Sequence, residues 1–135
     1  MRPRTAPKLA IMTAGIGVTP VRALLEQSRL APGEATILLR ASTDEETYLW
    51  EEIAELADAK QATLYTMIGR RSRRYPEWMP ADDANRGVTI TSVFPKLLES
   101  DLYICGPTPW VELVEADALA AGIPKHQLHT ERFDW

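Results

Sequence analysis

Short apolar runs alternate along this chain with segments of helical periodicity, and glycines and prolines mark most of the boundaries between them. Five runs have the length and composition of strands: Lys8–Thr13, Ala35–Ala41, Ala62–Ile68, Leu102–Ile104 and Gln127–Phe133. Strands that alternate with helices pair in parallel through right-handed crossovers, so helices cover both faces of the sheet. The alternation therefore predicts a small doubly wound α/β fold with a parallel sheet of about five strands.

The predicted helices begin at recognisable residues. Pro20 stands where the first helical residue after the first strand is expected, since proline at this position loses no hydrogen bond. Thr108 and Pro109 form an N-cap and N1 pair for the helix after the fourth strand. The segment Ser92–Leu98, with Pro95 in its first turn, is predicted to form a shorter helix.

Length, charge and cysteine content limit the class of protein. At 135 residues the chain has the size of one domain, predicted to span residues 1–135. A net charge of -4 argues against a nucleic-acid partner, and one cysteine without a Cys/His cluster predicts no metal site. The longest uncharged run, Leu9–Val21, is too short to cross a membrane, and no signal sequence is recognisable. We expect a cytoplasmic protein, or the cytoplasmic part of a membrane protein.

The loop after the first strand has features of a phosphate-binding turn. Ligands of doubly wound folds bind beyond the carboxyl ends of the strands. Gly15 and Gly17 allow a tight turn close to a pyrophosphate, and the following helix presents its unpaired N–H groups. Pro20 replaces the third glycine of the dinucleotide fingerprint, so a purely structural turn is the alternative.

Basic residues follow the second and third strands. Arg40 and Ser42 stand where a site for a bare ribose has an acidic residue, which favours a 2′-phosphate. Arg70 and Arg71 follow the third strand and reach the same edge of the sheet. The alternatives are a surface ion pair between Arg40 and a neighbouring glutamate, and a solvated basic loop after the third strand.

The end of the fourth strand and the C-terminus carry the remaining candidates. Cys105, Gly106 and Pro107 form a turn that can lie close to a flat ligand, or else a buried strand end. Phe133 either packs in a core or interface, or covers a planar cofactor. No histidine is placed by the sequence to activate Cys105, so a nucleophilic cysteine is not predicted.

Together, the segments Ala14–Pro20, Cys105–Pro107 and Glu131–Phe133 resemble the C-terminal nicotinamide-dinucleotide domain of the ferredoxin–NADP reductase superfamily. The resemblance runs in order from Lys8 to Phe133. Gly69–Arg71 and Tyr103–Pro107 are similar to the branch found in bacterial ferric-reductase-like flavoproteins.

The resemblance implies which residues bind the cofactor. Arg40, Arg70 and Arg71 would face the adenosine 2′-phosphate, beside Ser42, so NADPH is expected and NADH is the alternative. Cys105 and Gly106 would lie against the nicotinamide in the turn completed by Pro107. The pyrophosphate and ribose would be held by the glycine loop: Gly15, Ile16, Gly17, Val18, Thr19 and Pro20.

The resemblance also implies a reaction. Hydride would pass from the nicotinamide to a flavin, FAD or FMN, which then gives single electrons to a haem, iron or iron–sulfur acceptor. Cys105, Glu131 and Phe133 would act at that step: Glu131 would help to position the nicotinamide, and Phe133 would cover the flavin. The partner is a flavin-binding domain, in the same polypeptide or a separate one.

This sequence departs from the superfamily pattern at three places. Asp134 and Trp135 extend past Phe133, so Trp135 is the alternative to Phe133 as the aromatic that meets the flavin. The Arg-x-Tyr-Ser type motif of the flavin domain is absent, so the isolated chain is expected to be inactive. Trp110 stands where the superfamily commonly has methionine. The alternative from another class is a non-catalytic α/β ligand-binding or interaction domain that keeps the fold without a flavin partner.

Overall fold

The computed structural model describes residues 6–15, 18–43, 47, 50–70 and 77–133, and only the backbone of Val18, Thr19 and Phe133. The strands are β1 (Lys8–Ala14), β2 (Ala35–Ala41), β3 (Thr63–Ile68), β4 (Ser100–Pro107) and β5 (Leu128–Phe133). The helices are α1 (Val18–Gln27), α2 (Trp50–Ala59), α3 (Ala81–Asn85), α4 (Ile90–Val93) and α5 (Thr108–Ala120). Short 3₁₀ turns span Leu97–Glu99 and Lys125–Gln127.

The five strands form one parallel sheet in the order β3-β2-β1-β4-β5. Alternate residues of β1 enter two separate cores, because successive side chains of a strand point to opposite faces. Leu9 and Ile11 pack with residues of α1 and α2, whereas Ala10 and Met12 pack with residues of α5. Helices therefore cover both faces, and the predicted doubly wound α/β fold is confirmed.

The strand order reverses direction between β1 and β4. The chain moves outward from β1 through β2 to β3, and then crosses back to place β4 and β5 on the other side of β1. In open α/β sheets the crevice for ligands lies at such a reversal, outside the carboxyl ends of the strands. We call the residues directly after the five strands the carboxyl-end rim.

The predicted helix Ser92–Leu98 is wrong. Helix α4 begins earlier, where Thr89 caps it in a reciprocal pair of hydrogen bonds with Ser92, and it ends at Val93. Phe94 has φ -119° and ψ 78° because the ring of Pro95 disfavours a helical residue before it.

Two further boundaries differ from the prediction. Helix α1 begins at Val18, so Pro20 is its third residue, and α5 begins at Thr108 with Pro107 as its N-cap. The segment between β3 and α4 contains the helix α3, which the sequence analysis did not predict. Within the part of the chain that the structure describes, no helix has the length and apolar character needed to cross a membrane.

Candidate functional site

The turns after β1 and β4 meet at the strand-order reversal. Thr13 pairs with Cys105 in the parallel register of β1 and β4. A Cβ atom placed on Gly106 would lie 3.4 Å from the Cβ of Ala14, so the two strand ends are in close contact. Gly15 follows directly with φ +62°, a left-handed conformation that glycine adopts without steric cost. The fold thus brings together the first and last parts of the sequence-predicted site.

A cavity of about 590 Å³ opens beside this point, between α1 and the strands β4 and β5. Pro20 and Leu24 line it from α1, and Cys105 and Glu131 line it from neighbouring positions of β4 and β5. Its volume lies within the range of about 300–1,000 Å³ that small-molecule and cofactor sites occupy. The wall therefore combines apolar surface, a thiol and a carboxylate.

Cys105 is a buried and neutral group. Burial raises the pKa of its thiol to about 12, and the negative charge of Glu131 contributes in the same direction. A nucleophilic cysteine needs a lowered pKa, because the thiolate is the reactive form. Cys105 offers the cavity a small polarisable surface instead.

The raised pKa of Cys105 predicts a dependence of stability on alkaline pH. The ordinary pKa is 9.0, so the folded chain keeps the thiol proton to higher pH than the unfolded chain does. The stabilising contribution is fully present below about pH 9 and is lost as the pH rises toward 12. We expect the free energy of unfolding in urea to fall more steeply over this range for the wild type than for Cys105→Ala. An equal dependence on pH in the two proteins would contradict the raised pKa of Cys105.

Gly106 is required by packing on the face opposite the cavity. A Cβ atom at this position would lie 2.9 Å from Cε3 of Trp110, closer than such atoms approach in folded proteins. The expected reason for this glycine was close approach of a flat ligand. The structure gives a different reason, since the indole of Trp110 occupies the space.

Arg40 differs from the expectation of an arginine exposed at the edge of the sheet. Its side chain is 3% exposed, and its Nε donates a hydrogen bond of 3.0 Å to the carbonyl oxygen of Trp78. An Nη1 of the same guanidinium donates to the carbonyl oxygen of Ala41. A buried guanidinium needs such partners because its desolvation is costly. Arg40 is therefore not a surface side chain, and the glutamates expected as its ion-pair partners, Glu45 and Glu46, lie outside the described residues.

Ser42 and Arg70 are exposed on the carboxyl-end rim, after β2 and β3 respectively. Pro107 closes β4 and is half-buried. The remaining predicted site residues lie outside what the structure describes. These are Ile16, Gly17 and Arg71, together with the side chains of Val18, Thr19 and Phe133.

Two groups near the cavity were missed by the sequence analysis. The rings of Tyr103 and His129 stack with their centres 4.5 Å apart, and His129 Nε2 lies 3.5 Å from Oδ1 of the buried Asp101. The hydroxyl oxygen of Thr13 is buried and has no hydrogen-bond partner in the described part of the structure. Tyr103 belongs to the segment that resembles the flavoprotein branch, but no motif marks its contact with His129, because strand pairing brings the two together.

Several known proteins are similar to this chain, although no protein-family model matches it. A flavohemoprotein of Xylella fastidiosa is 28% identical over 93% of the chain and 31% of its own length. The ferredoxin reductase component of a Rhodococcus rhodochrous 3-ketosteroid-9-alpha-monooxygenase is 26% identical, over 90% of the chain and 32% of its length. The resemblance to the ferredoxin–NADP reductase superfamily is confirmed.

A solved structure has a similar fold. The flavohem-like FAD/NAD-binding domain of Vibrio cholerae nitric oxide dioxygenase has a TM-score of 0.75 and 21% identity, and the match covers 98% of this chain and 53% of that one. The chain thus spans about a third of the length of the curated relatives it matches and about half of this solved structure. The similarity to the ferric-reductase-like branch stays a prediction.

Proposed function

We propose that this chain is the nucleotide-binding module of a flavin-dependent oxidoreductase, with NADPH as its preferred nucleotide. The observation that carries the proposal is the meeting of Gly15, Cys105 and Gly106 at the strand-order reversal, beside a cavity of about 590 Å³. The named relatives, a flavohemoprotein and a ferredoxin reductase component, support the redox class. Ser42 and Arg70, exposed on the carboxyl-end rim, support the choice of NADPH.

The described residues fit a dinucleotide in several respects. Gly15 has a left-handed φ of +62° three residues before α1 begins at Val18, and the N-terminus of such a helix presents unpaired N–H groups that a pyrophosphate can bind. The buried hydroxyl of Thr13, on the β1 residue paired with Cys105, is a polar group without a partner in the described structure. When bound, the nicotinamide supplies hydride to a flavin.

The chain's own contribution at the cavity is to bind and orient. The neutral thiol of Cys105 provides a contact surface for a flat ring without offering a charge or a nucleophile. Glu131 is exposed at the cavity wall and can accept a hydrogen bond from an amide. Phe133 follows two residues later and is proposed to cover the flavin.

We propose further that the flavin, FAD or FMN, is held by a separate domain or chain, and that a haem, iron or iron–sulfur centre accepts the electrons. The isolated chain is then inactive in reduction, because the hydride acceptor lies in the partner. A cytoplasmic location belongs to the same proposal.

Titration with adenosine fragments tests the proposal without a flavin domain. We expect 2′,5′-ADP to bind about 10- to 100-fold more tightly than 5′-AMP in calorimetry, since a phosphate contact with a charged donor contributes about 1.5–3 kcal/mol. Equal affinities would point to NADH. Binding of neither fragment would favour a non-catalytic interaction domain with the same fold.

A further inference from the structure

We infer that four buried or hydrogen-bonded side chains hold Arg70 at the carboxyl-end rim and so determine the preference for a 2′-phosphate. These residues, here called the Trp78 clamp, are Arg40, Trp78, Trp110 and Asp117. The clamp touches no ligand in this scheme, and its members are positioning residues. The inference rests on the proposed function, since it assigns the origin of the NADPH preference.

Trp78 is bonded at both its side chain and its backbone. Its indole is fully buried, and Nε1 donates a hydrogen bond of 2.7 Å to Oδ2 of Asp117 on α5. Its carbonyl oxygen accepts one hydrogen bond of 3.0 Å from Arg40 Nε and another of 2.8 Å from Trp110 Nε1. Trp78 is thereby fixed between the end of β2 and the helix α5.

The segment that follows Trp78 is bonded directly to Arg70. The backbone N–H of Ala81 donates a hydrogen bond of 2.9 Å to the carbonyl oxygen of Arg70. Pro80 packs against the preceding Gly69, where a Cβ atom would lie 3.2 Å from the Cβ of Pro80. Only two residues separate Trp78 from Ala81, so the position of Trp78 determines where Arg70 leaves the sheet.

Arg40 is connected to Gly69 through the backbone of Ala41. The carbonyl oxygen of Ala41 accepts a hydrogen bond from the Arg40 guanidinium and one of 3.0 Å from the N–H of Gly69. The buried guanidinium therefore connects Ala41, which is bonded to Gly69, with Trp78, three residues before the Ala81 that is bonded to Arg70. This geometry explains how Arg40 serves the phosphate site from the interior.

A fixed backbone position at Arg70 matters because the side chain of this residue is exposed and long. Such a side chain loses rotamer freedom when it binds a phosphate, and a displaced backbone adds to that cost. Recognition of the 2′-phosphate should therefore weaken when the clamp loosens. Binding of the rest of adenosine should change much less.

The test compares Asp117→Ala with Asp117→Asn, measured on the whole chain by amide hydrogen exchange. Both variants remove the same charge, but asparagine keeps an oxygen that can accept from Trp78 Nε1. We expect the amides of Gly69 and Ala81 to exchange about fivefold faster in Asp117→Ala, the change that corresponds to one hydrogen bond of about 1 kcal/mol. The amide of Leu9, bonded to Glu34 at the opposite end of the sheet, is the internal reference.

The same variants are titrated with nucleotides. We expect Asp117→Ala to weaken 2′,5′-ADP by about fivefold and 5′-AMP by less than about twofold, with Asp117→Asn close to the wild type. Trp110→Phe, which removes the other indole donor to Trp78, should give the same pattern.

Three outcomes would overturn the inference. Faster amide exchange at Leu9 as well as at Gly69 and Ala81 would indicate general destabilisation. Unchanged exchange at all three amides would show that the bond to Trp78 does not hold the backbone of Gly69 and Arg70. Faster exchange at Gly69 and Ala81 with an equal loss of affinity for 2′,5′-ADP and 5′-AMP would show that the clamp does not determine the preference for a 2′-phosphate. A wild type that binds the two nucleotides equally overturns the NADPH proposal, while the exchange data still report on the clamp itself.

Discussion

Replacing Arg70 with alanine is expected to weaken binding of 2′,5′-ADP by about 10- to 100-fold and binding of 5′-AMP by less than about twofold. Arg70 is exposed on the carboxyl-end rim, and its guanidinium can form a charge-assisted hydrogen bond with a phosphate, worth about 1.5–3 kcal/mol. A 5′-AMP molecule lacks the group that this bond would reach. Calorimetric titration of both ligands against both proteins measures the change.

Arg86→Ala is the matched control for this experiment. Arg86 is also an exposed arginine, and it pairs with Asp83 at the end of α3. Its removal changes the net charge of the chain equally, so any loss shared with Arg70→Ala measures general electrostatics. Arg70→Lys adds a second comparison, since lysine keeps the charge but not the planar fork that matches a phosphate. Equal losses for the two ligands in Arg70→Ala would remove the assignment.

Replacing Gly106 with alanine is expected to lower the free energy of unfolding by about 1–3 kcal/mol, the usual cost of overpacking a core. The added Cβ atom would lie 2.9 Å from Cε3 and 3.3 Å from Cζ3 of Trp110. The indole has little freedom to move away, because its Nε1 is bonded to the carbonyl oxygen of Trp78. Urea denaturation at neutral pH measures the loss.

A double-mutant cycle tests whether contact with the Trp110 indole causes the loss of stability in Gly106→Ala. Trp110→Leu removes the ring, so Gly106→Ala should cost less than about 0.5 kcal/mol in that background. Gly33→Ala serves as a comparison, because a Cβ there would meet nothing within 4 Å although the backbone has φ +78°. Its cost should be the same with and without Trp110. An unchanged cost for Gly106→Ala in the two backgrounds would show that contact with the indole is not the reason for this glycine.

The order of the strands and helices could be read from local sequence. Ala35–Ala41 was predicted with the boundaries that β2 has, and Lys8–Thr13 falls one residue short of β1. Strand periodicity and turn residues act over a few positions, so a single sequence contains the information. The error at Ser92–Leu98 is also local: Pro95 was taken as a first-turn residue, whereas it ends α4 through its effect on Phe94.

The candidate site was only partly predictable. Gly15 and Cys105 were chosen because they follow or end strands, and parallel strands bring their carboxyl ends to one edge. Glu131, inside the last strand, was predicted only through the resemblance to the superfamily. The cavity residues Tyr103 and His129 carry no signal of their own, since they become neighbours only through the pairing of β4 with β5.

By itself, the sequence determined the alternating order of elements, and with it the edge of the sheet where a ligand is expected. Periodicity and turn chemistry are properties of neighbouring residues, so they can be recognised in the sequence alone. Only the tertiary structure decided that Arg40 lies inside the protein and that Gly106 makes room for Trp110. The first depends on Trp78, 38 residues away in the chain, and no local pattern encodes such a contact. The second involves Trp110, only four residues after Gly106, but its indole is held in place by a hydrogen bond to the distant Trp78.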